Sequence, residues 1–284
     1  MFKPRRNRKW LRRFFYGGID MKFKNVLLAS DFDGTLANGE GKITKEVVSA
    51  IKYFMSEGGR FTVCTGRIYQ GFHLYSDDYI NAPVLLGNGA MAYDYKSDNI
   101  VFNDAVGEEG IAVVREVISR FPSVAVEMYN FNKVCSINAG EDSIRHFTSQ
   151  GIDFTPVSDP SETLLPWTKV MIYAHGCSLD VQRLLDGHRE INYLKTTGDY
   201  IELLQKGVDK GSGLMKLGKM LGCKPCDIYS AGDGYNDVDM LKAAAKGFVP
   251  QNGSSEALSV ADYVTRSNND GCIAHAVEIL DSIY

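Results

Sequence analysis

An apolar run, Val26-Leu27-Leu28-Ala29, leads into Asp31-Phe32-Asp33-Gly34-Thr35. Consecutive apolar residues without polar alternation read as a strand buried on both faces, the habit of a parallel sheet covered by helices. Asp31 and Asp33 then stand two residues apart at the strand's end and repel each other. A bound cation is the simplest group to offset that repulsion. An acid capping a strand-to-helix loop is the plainer alternative.

Three later stretches bear on that choice. Phe61-Thr62-Val63-Cys64-Thr65-Gly66-Arg67 is a second strand-like run, ending in a hydroxyl that can donate to a phosphate oxygen. Lys206-Gly207-Val208-Asp209-Lys210 places a lysine at a helix start, where the helix dipole disfavours a cation. Asp227-Ile228-Tyr229-Ser230-Ala231-Gly232-Asp233-Gly234-Tyr235-Asn236-Asp237 runs a short strand into a glycine-flanked acid, with a second acid behind it. Taken singly these are a turn, a solvated lysine and an N-cap. Taken together they converge, because open α/β sheets bind ligands beyond the carboxyl ends of their strands. Asp31, Asp33, Thr65 and Asp233 all fall at such ends, and Lys210 opens a helix that reaches the same edge. Bunched acids of this kind suit Mg2+, a hard cation with oxygen ligands. Mg2+, Lys210 and Thr65 together would neutralise a phosphoryl group.

The stretches DFDGT, CTGR, a lone lysine and GDGYND, in that order, resemble the four signature motifs of the haloacid dehalogenase-like superfamily of phosphohydrolases. The long insert between the second and third resembles the C2-type cap of the Cof-like, sugar-phosphate phosphatase branch. Ala261-Asp262-Tyr263-Val264-Thr265 and Asn268-Asn269-Asp270-Gly271 are similar to that branch's closing segment, so the resemblance runs from about Lys24 to the C-terminus. Val249-Pro250-Gln251-Asn252-Gly253 departs from it, standing where the branch carries a methionine-glycine-asparagine turn.

The resemblance implies a Mg2+-dependent phosphatase of a small phosphorylated metabolite, working through an aspartyl phosphate. Asp31 would be the nucleophile and Asp33 the general acid, then the base. Mg2+ would sit on the Asp31 carboxylate, the Asp33 main-chain carbonyl and Asp233, with Asp237 in support. Thr65 and Lys210 would hold phosphoryl oxygens, and Asn236 would contact phosphate. Gly66, Arg67, Asn88 and Lys169 would face the substrate. The acid at Asp33 favours phosphate esters, since members that cleave carbon–halogen or carbon–phosphorus bonds generally lack it. A phosphomutase of the same superfamily and a catalytically silent Mg2+-dependent binding protein are the two alternatives.

The element pattern predicts an α/β chain: a doubly wound, mainly parallel Rossmann-like core with an inserted α+β cap domain. Thr44 caps a helix running to Ser56, Gly58-Gly59 stops it, and Val84–Leu86 reads as the third strand. From Gly87 the pattern shifts to a hairpin over 91–102, helices over 111–118, 143–150 and 179–188, and strands over 124–128, 134–137 and 169–174. The core is therefore assigned to 21–86 and 191–284 and the cap to 87–190, with Ile191–Lys195 as the strand that resumes the core. Helices over 214–221, 238–245 and 272–283 and strands over 227–230, 247–249 and 263–265 complete it.

Charge narrows the partners. The chain carries 31 basic and 35 acidic residues, but residues 1–20 hold seven of the bases and one acid. The remaining body is thus net −10, which argues against nucleic acid. The basic start lacks the apolar core of a secretory signal and reads as a disordered extension, with Met21 an alternative start. No apolar run is long enough to span a membrane. The six cysteines are scattered, which fits a reducing, cytoplasmic setting. Cys223 and Cys226 precede a strand where a redox pair would follow one, and read as loop residues. The five histidines show no metal spacing and are assigned to packing or surface roles.

Overall fold

A computed structural model of the protein describes residues 21–76, 78–195 and 198–284; the basic segment 1–20 lies outside the described residues. In chain order come β1 (Leu27–Ser30), α1 (Lys45–Ser56), β2 (Arg60–Val63), the one-turn α2 (Tyr69–Phe72), β3 (Val84–Leu86), β4 (Met91–Asp94) and β5 (Asn99–Asn103). The insert follows as α3 (Glu108–Arg120), β6 (Ala125–Asn130), β7 (Lys133–Ile137), α4 (Glu141–Gln150), β8 (Thr155–Pro156), β9 (Lys169–Tyr173), α5 (Ser178–Leu185), β10 (Ile191–Lys195) and β11 (Tyr200–Gln205). α6 (Lys210–Met220), β12 (Ile228–Ala231), α7 (Val238–Ala243), β13 (Lys246–Pro250), α8 (Ser255–Leu258), β14 (Tyr263–Thr265) and α9 (Cys272–Ile283) close the chain.

The core sheet is parallel throughout, in the order β14-β13-β12-β1-β2. Its central strand explains its own sequence. Leu28 joins a cluster with Ile51 and Phe54 of α1 and Ile273 and Val277 of α9. Leu27 and Ala29 point the other way, to Leu214 and Leu217 of α6 and Met240 of α7. Both faces are covered, so the run has no polar alternation. Thr44 Oγ1 accepts from the Val47 amide at 3.3 Å, the expected cap of α1. Register then fixes where the chain leaves the sheet. Ser30 lies opposite both Val63 and Ala231, so Asp31, Thr65 and Asp233 emerge from one edge on either side of the point where strand order reverses.

The insert is a six-stranded sheet ordered β10-β11-β9-β6-β7-β8, antiparallel except between β7 and β8. Its two faces differ. Val126, Val170, Ile172, Ile201 and Leu203 pack on Val113, Val114 and Val117 of α3 and Val181 and Leu185 of α5. On the opposite face Glu127, Met171 and Glu202 lie side by side across three strands, and Tyr129 lies beside Lys169. That face is buried too, against α4 and the core's Ile68.

Two sequence assignments change. Ile191–Lys195, expected to resume the core, pairs with β11, and β11 pairs with β9. The expected boundary at 190/191 therefore falls inside the six-stranded sheet. β11 itself was not expected, because Glu202 interrupts its apolar run; the carboxylate is nevertheless buried. The hairpin expected in the cap instead extends β3 into a three-stranded sheet, which joins the core through a Cys64–Leu85 bridge.

α6 is held close to the turn after β3. In Gly87-Asn88-Gly89 all three residues have positive φ. A Cβ at Gly213 would lie 2.7 Å from both Cα and the carbonyl oxygen of Gly89. Alanine gains about 1 kcal/mol over glycine in a helix, but overpacking against backbone costs roughly 1–3 kcal/mol. Gly213→Ala should therefore lower the urea midpoint of unfolding and disturb Lys210 and Asn88 together. A raised midpoint would show that the two backbones can separate freely.

Candidate active site

The loop after β1 is shaped by its neighbours. The Asp31 amide donates to the Ala231 carbonyl at 2.8 Å, carrying the ladder one residue past the strand. Gly34 has φ +79°, and a Cβ there would lie 2.5 Å from Asp233 Oδ2, so only glycine lets the two loops meet. Thr35 Oγ1 donates to Asp233 Oδ1 at 2.6 Å. The turn that departs from the Cof-like pattern closes the rim: Asn252 Nδ2 donates to the Gly34 carbonyl at 2.9 Å, and its Oδ1 accepts from the Asn268 amide at 2.8 Å.

Beneath the rim lies a buried charge centre. Lys210 Nζ donates to Asp31 Oδ1 and to Asp237 Oδ1, both at 2.6 Å. Lys210 is 1% exposed and Asp237 0%, so neither charge has water to fall back on. Burial alone would lower the Lys210 pKa, but the carboxylates of Asp237 and Asp31 outweigh it and hold the ammonium above its ordinary range. Asp31 is pushed well above the usual carboxylate range by burial, with Lys210 opposing and Asp237 and Asp233 adding to the rise. Asp233 is raised by burial against the Thr35 hydrogen bond. The other oxygen of Asp237 accepts from the amides of Asp233 at 3.0 Å and Gly234 at 2.8 Å, which fixes the loop carrying Asp233. At the helix start, Asp209 accepts from the Ser212 amide at 2.7 Å and offsets the unfavourable dipole at Lys210.

Carboxylate oxygens of Asp31, Asp233 and Asp237 all lie within 4.8 Å of one another. Two like charges at 4 Å repel by about 4 kcal/mol at an effective dielectric of 20. One ammonium against three carboxylates leaves a deficit of positive charge, and the donors available are oxygens. The set fits a hard divalent cation.

A cavity of 270 Å³ opens above this centre, between the core strand ends and the polar face of the insert. Thr65 lies at its wall, Oγ1 accepting from the Arg67 amide at 3.1 Å, and the Gly66 carbonyl takes Lys169 Nζ at 2.7 Å. Arg67 holds Asp33 in a two-pronged fork, both contacts 2.8 Å, with its guanidinium 5.0 Å from the rings of Phe32 and Tyr75. Asn88 donates to Glu202 at 2.7 Å and accepts from Asn236 at 3.0 Å. Every residue expected at the site from the sequence thus meets here, Lys210 just below the floor. Arg67 and Lys169 are already ion-paired, with Asp33 and with Glu202. Three larger clefts, 540, 520 and 460 Å³, contain none of these residues.

The lining also holds residues outside the expected set, among them Glu202, His146 and Gln150. Glu202 sits in the unexpected strand. The i, i+4 spacing of His146 and Gln150 was visible in the sequence, but nothing there indicated that this face of α4 turns toward the core.

The family model for haloacid dehalogenase-like hydrolases matches residues 28–277. The chain belongs to that family. Among relatives of these haloacid dehalogenase-like hydrolases, Bacillus subtilis YxeH, provisionally named a phosphatase, is 25% identical over 89% of this chain and 97% of its own. The 5-amino-6-(5-phospho-D-ribitylamino)uracil phosphatase YwtE of the same organism is 27% identical, with the same two coverages. A solved structure of BT1666 from Bacteroides thetaiotaomicron, a phosphatase of this superfamily, has the same fold, with a TM-score of 0.80 over 91% of this chain and 96% of that one at 22% identity. The haloacid dehalogenase-like assignment accounts for the parallel core and the inserted layer together.

Replacing Lys210 with methionine leaves Asp31 and Asp237 buried without their cation. Breaking a buried pair in this way costs about 3–5 kcal/mol. Metal-free Lys210→Met should melt well below the metal-free parent, and Mg2+ should raise its Tm more than the parent's. An unchanged Tm would show that Lys210 is not the counter-charge.

Proposed function

We propose that this hydrolase is a Mg2+-dependent phosphatase of a small phosphomonoester, acting through a phosphorylated Asp31. The observation that carries the reading is the placement of the Asp31 carboxylate at the cavity floor, one oxygen held by Lys210 and Asp33 two residues on at the rim. Asp31 and Asp233 would hold the ion together with the Asp33 main-chain carbonyl, and Asp237 would brace them through the loop it ties down. Bound there, Mg2+ supplies positive charge to the phosphoryl oxygens.

The chain's own groups supply the rest. Lys210 fixes one Asp31 oxygen and leaves the other to attack phosphorus. Thr65 has spent an acceptor site on the Arg67 amide, so its hydroxyl proton is available to a phosphoryl oxygen. Asn236 stands at the same wall. Asp33 protonates the leaving oxygen and afterwards takes a proton from the water that cleaves the acyl phosphate. In the observed pose both Asp33 oxygens accept from Arg67, so the acid step needs the carboxyl turned from the fork toward the leaving oxygen. The relative named as a phosphatase of a phosphoribityl compound supports a phosphorylated polyol or sugar as the substrate. The six free cysteines fit a cytoplasmic setting, and no helix among the described residues is long and apolar enough to cross a membrane.

Phosphate release from a panel of metabolite monophosphates tests the reading. Chelation should abolish turnover and Mg2+ restore it; full activity after exhaustive chelation would remove the metal from the account. Asp31→Asn should be inactive on every substrate. Asp33→Asn should lose about 10²–10⁴-fold on sugar phosphates, whose leaving alkoxide needs a proton, and much less in the first step on an aryl phosphate. An equal first-step loss on both would take the acid role away from Asp33.

A further inference from the structure

α4 presents two polar side chains to the cavity. His146 and Gln150 are one helical turn apart, and their Nε2 atoms lie 2.9 Å from each other. Behind His146 is Glu127, which is 0% exposed on the inward face of β6. Glu127 Oε2 accepts from the Tyr129 hydroxyl at 2.5 Å and meets His146 Nδ1 at 3.0 Å. Its Oε1 has no hydrogen-bond partner among the described residues. A buried carboxylate needs donors, so Nδ1 carries a proton toward Glu127 and Nε2, left with its lone pair, accepts from the Gln150 amide beside the cavity. A histidine that only filled space would not require a carboxylate to be buried behind it.

The charges around the cavity are already paired. Arg67 is matched by Asp33, Lys169 by Glu202 at 3.4 Å, Lys210 by Asp31 and Asp237, and His146 faces Glu127. Among the described residues, no cation at this cavity lacks a carboxylate partner. A second phosphate or carboxylate on the substrate would compete with Asp33 for Arg67 and with the buried Glu202 for Lys169, instead of meeting a free cation. A hydroxyl asks for far less, since imidazole and carboxamide both pair with neutral donors and acceptors.

Resting on the phosphatase reading above, we propose that His146 and Gln150, positioned by Glu127, are specificity-determining residues that hydrogen-bond the leaving group, and that the leaving group they select is an uncharged polyol without a second anionic group. Glu127 is the positioning residue and touches no substrate atom itself.

The test uses the full-length enzyme with Mg2+ and three probes: fructose 6-phosphate, fructose 1,6-bisphosphate and p-nitrophenyl phosphate. The parent should favour the monophosphate over the bisphosphate in kcat/KM by at least about tenfold. His146→Ala and Gln150→Leu should each reduce kcat/KM on fructose 6-phosphate at least about tenfold more than on the aryl ester, mainly through KM. Glu127→Gln should move the same ratio in the same direction, and His146→Gln, which keeps a polar group there, should recover part of it. Gln150 is only partly buried, so its variant stays informative if the histidine variant is unstable. Preference for the bisphosphate, or equal losses on the sugar and aryl esters, would overturn the proposal while leaving the phosphatase reading intact. No Mg2+-dependent turnover of any probe by the parent would instead bring down the phosphatase reading, and this inference with it.

Discussion

The ammonium of Lys210 between Asp31 and Asp237 is the contact on which the rest of the site depends. It joins the first turn of α6 to the ends of β1 and β12, which are adjacent strands of the parallel sheet. None of the three charges would be stable in this position alone, because burial penalises each charge. The glycines around it follow from the same demand. Gly89 and Gly213 let α6 approach until Nζ reaches both carboxylates, and Gly34 lets the β1 loop close on Asp233. The local sequence therefore has little freedom near this contact, whereas the insert above it can vary in what it presents.

The insert answers the core with an asymmetric sheet. One face is apolar and packs on α3 and α5, which makes the layer a stable body. The other carries Glu127, Tyr129, Lys169 and Glu202, all buried. A buried face rich in ionisable groups gains little stability over an apolar one, so its composition is better explained by what it meets across the cavity. Lys169 reaches the Gly66 carbonyl and Asn88 reaches Glu202, so the two layers share hydrogen bonds at the mouth of the site.

The core was legible in the sequence because its rules are local. The apolar run before Asp31, the cap at Thr44 and the lysine at a helix start each carry their meaning within a few residues, and parallel register brings them to one edge. The insert was harder to read. Its strands alternate, but one of the alternating sets is polar and buried, so β11 with Glu202 at its middle did not look like a strand. The assignment of Ile191–Lys195 to the core failed for the same reason, since its partner was missing. His146 was assigned to packing or surface work because its role comes from Glu127, 19 residues away, and from the way α4 faces the core. Long-range contacts of this kind leave no periodic trace in a single sequence.

In the proposed mechanism Asp31 accepts the phosphoryl group and Asp33 is needed to release it. The most direct measurement is rapid-quench peptide mass spectrometry of the Mg2+-loaded Asp33→Asn variant after mixing with an aryl phosphate. One burst of aryl alcohol per active site is expected, with a phosphoryl adduct confined to the peptide carrying Asp31. Absence of both burst and adduct in a variant that folds and binds Mg2+ normally, or an adduct on another residue, would contradict that mechanism.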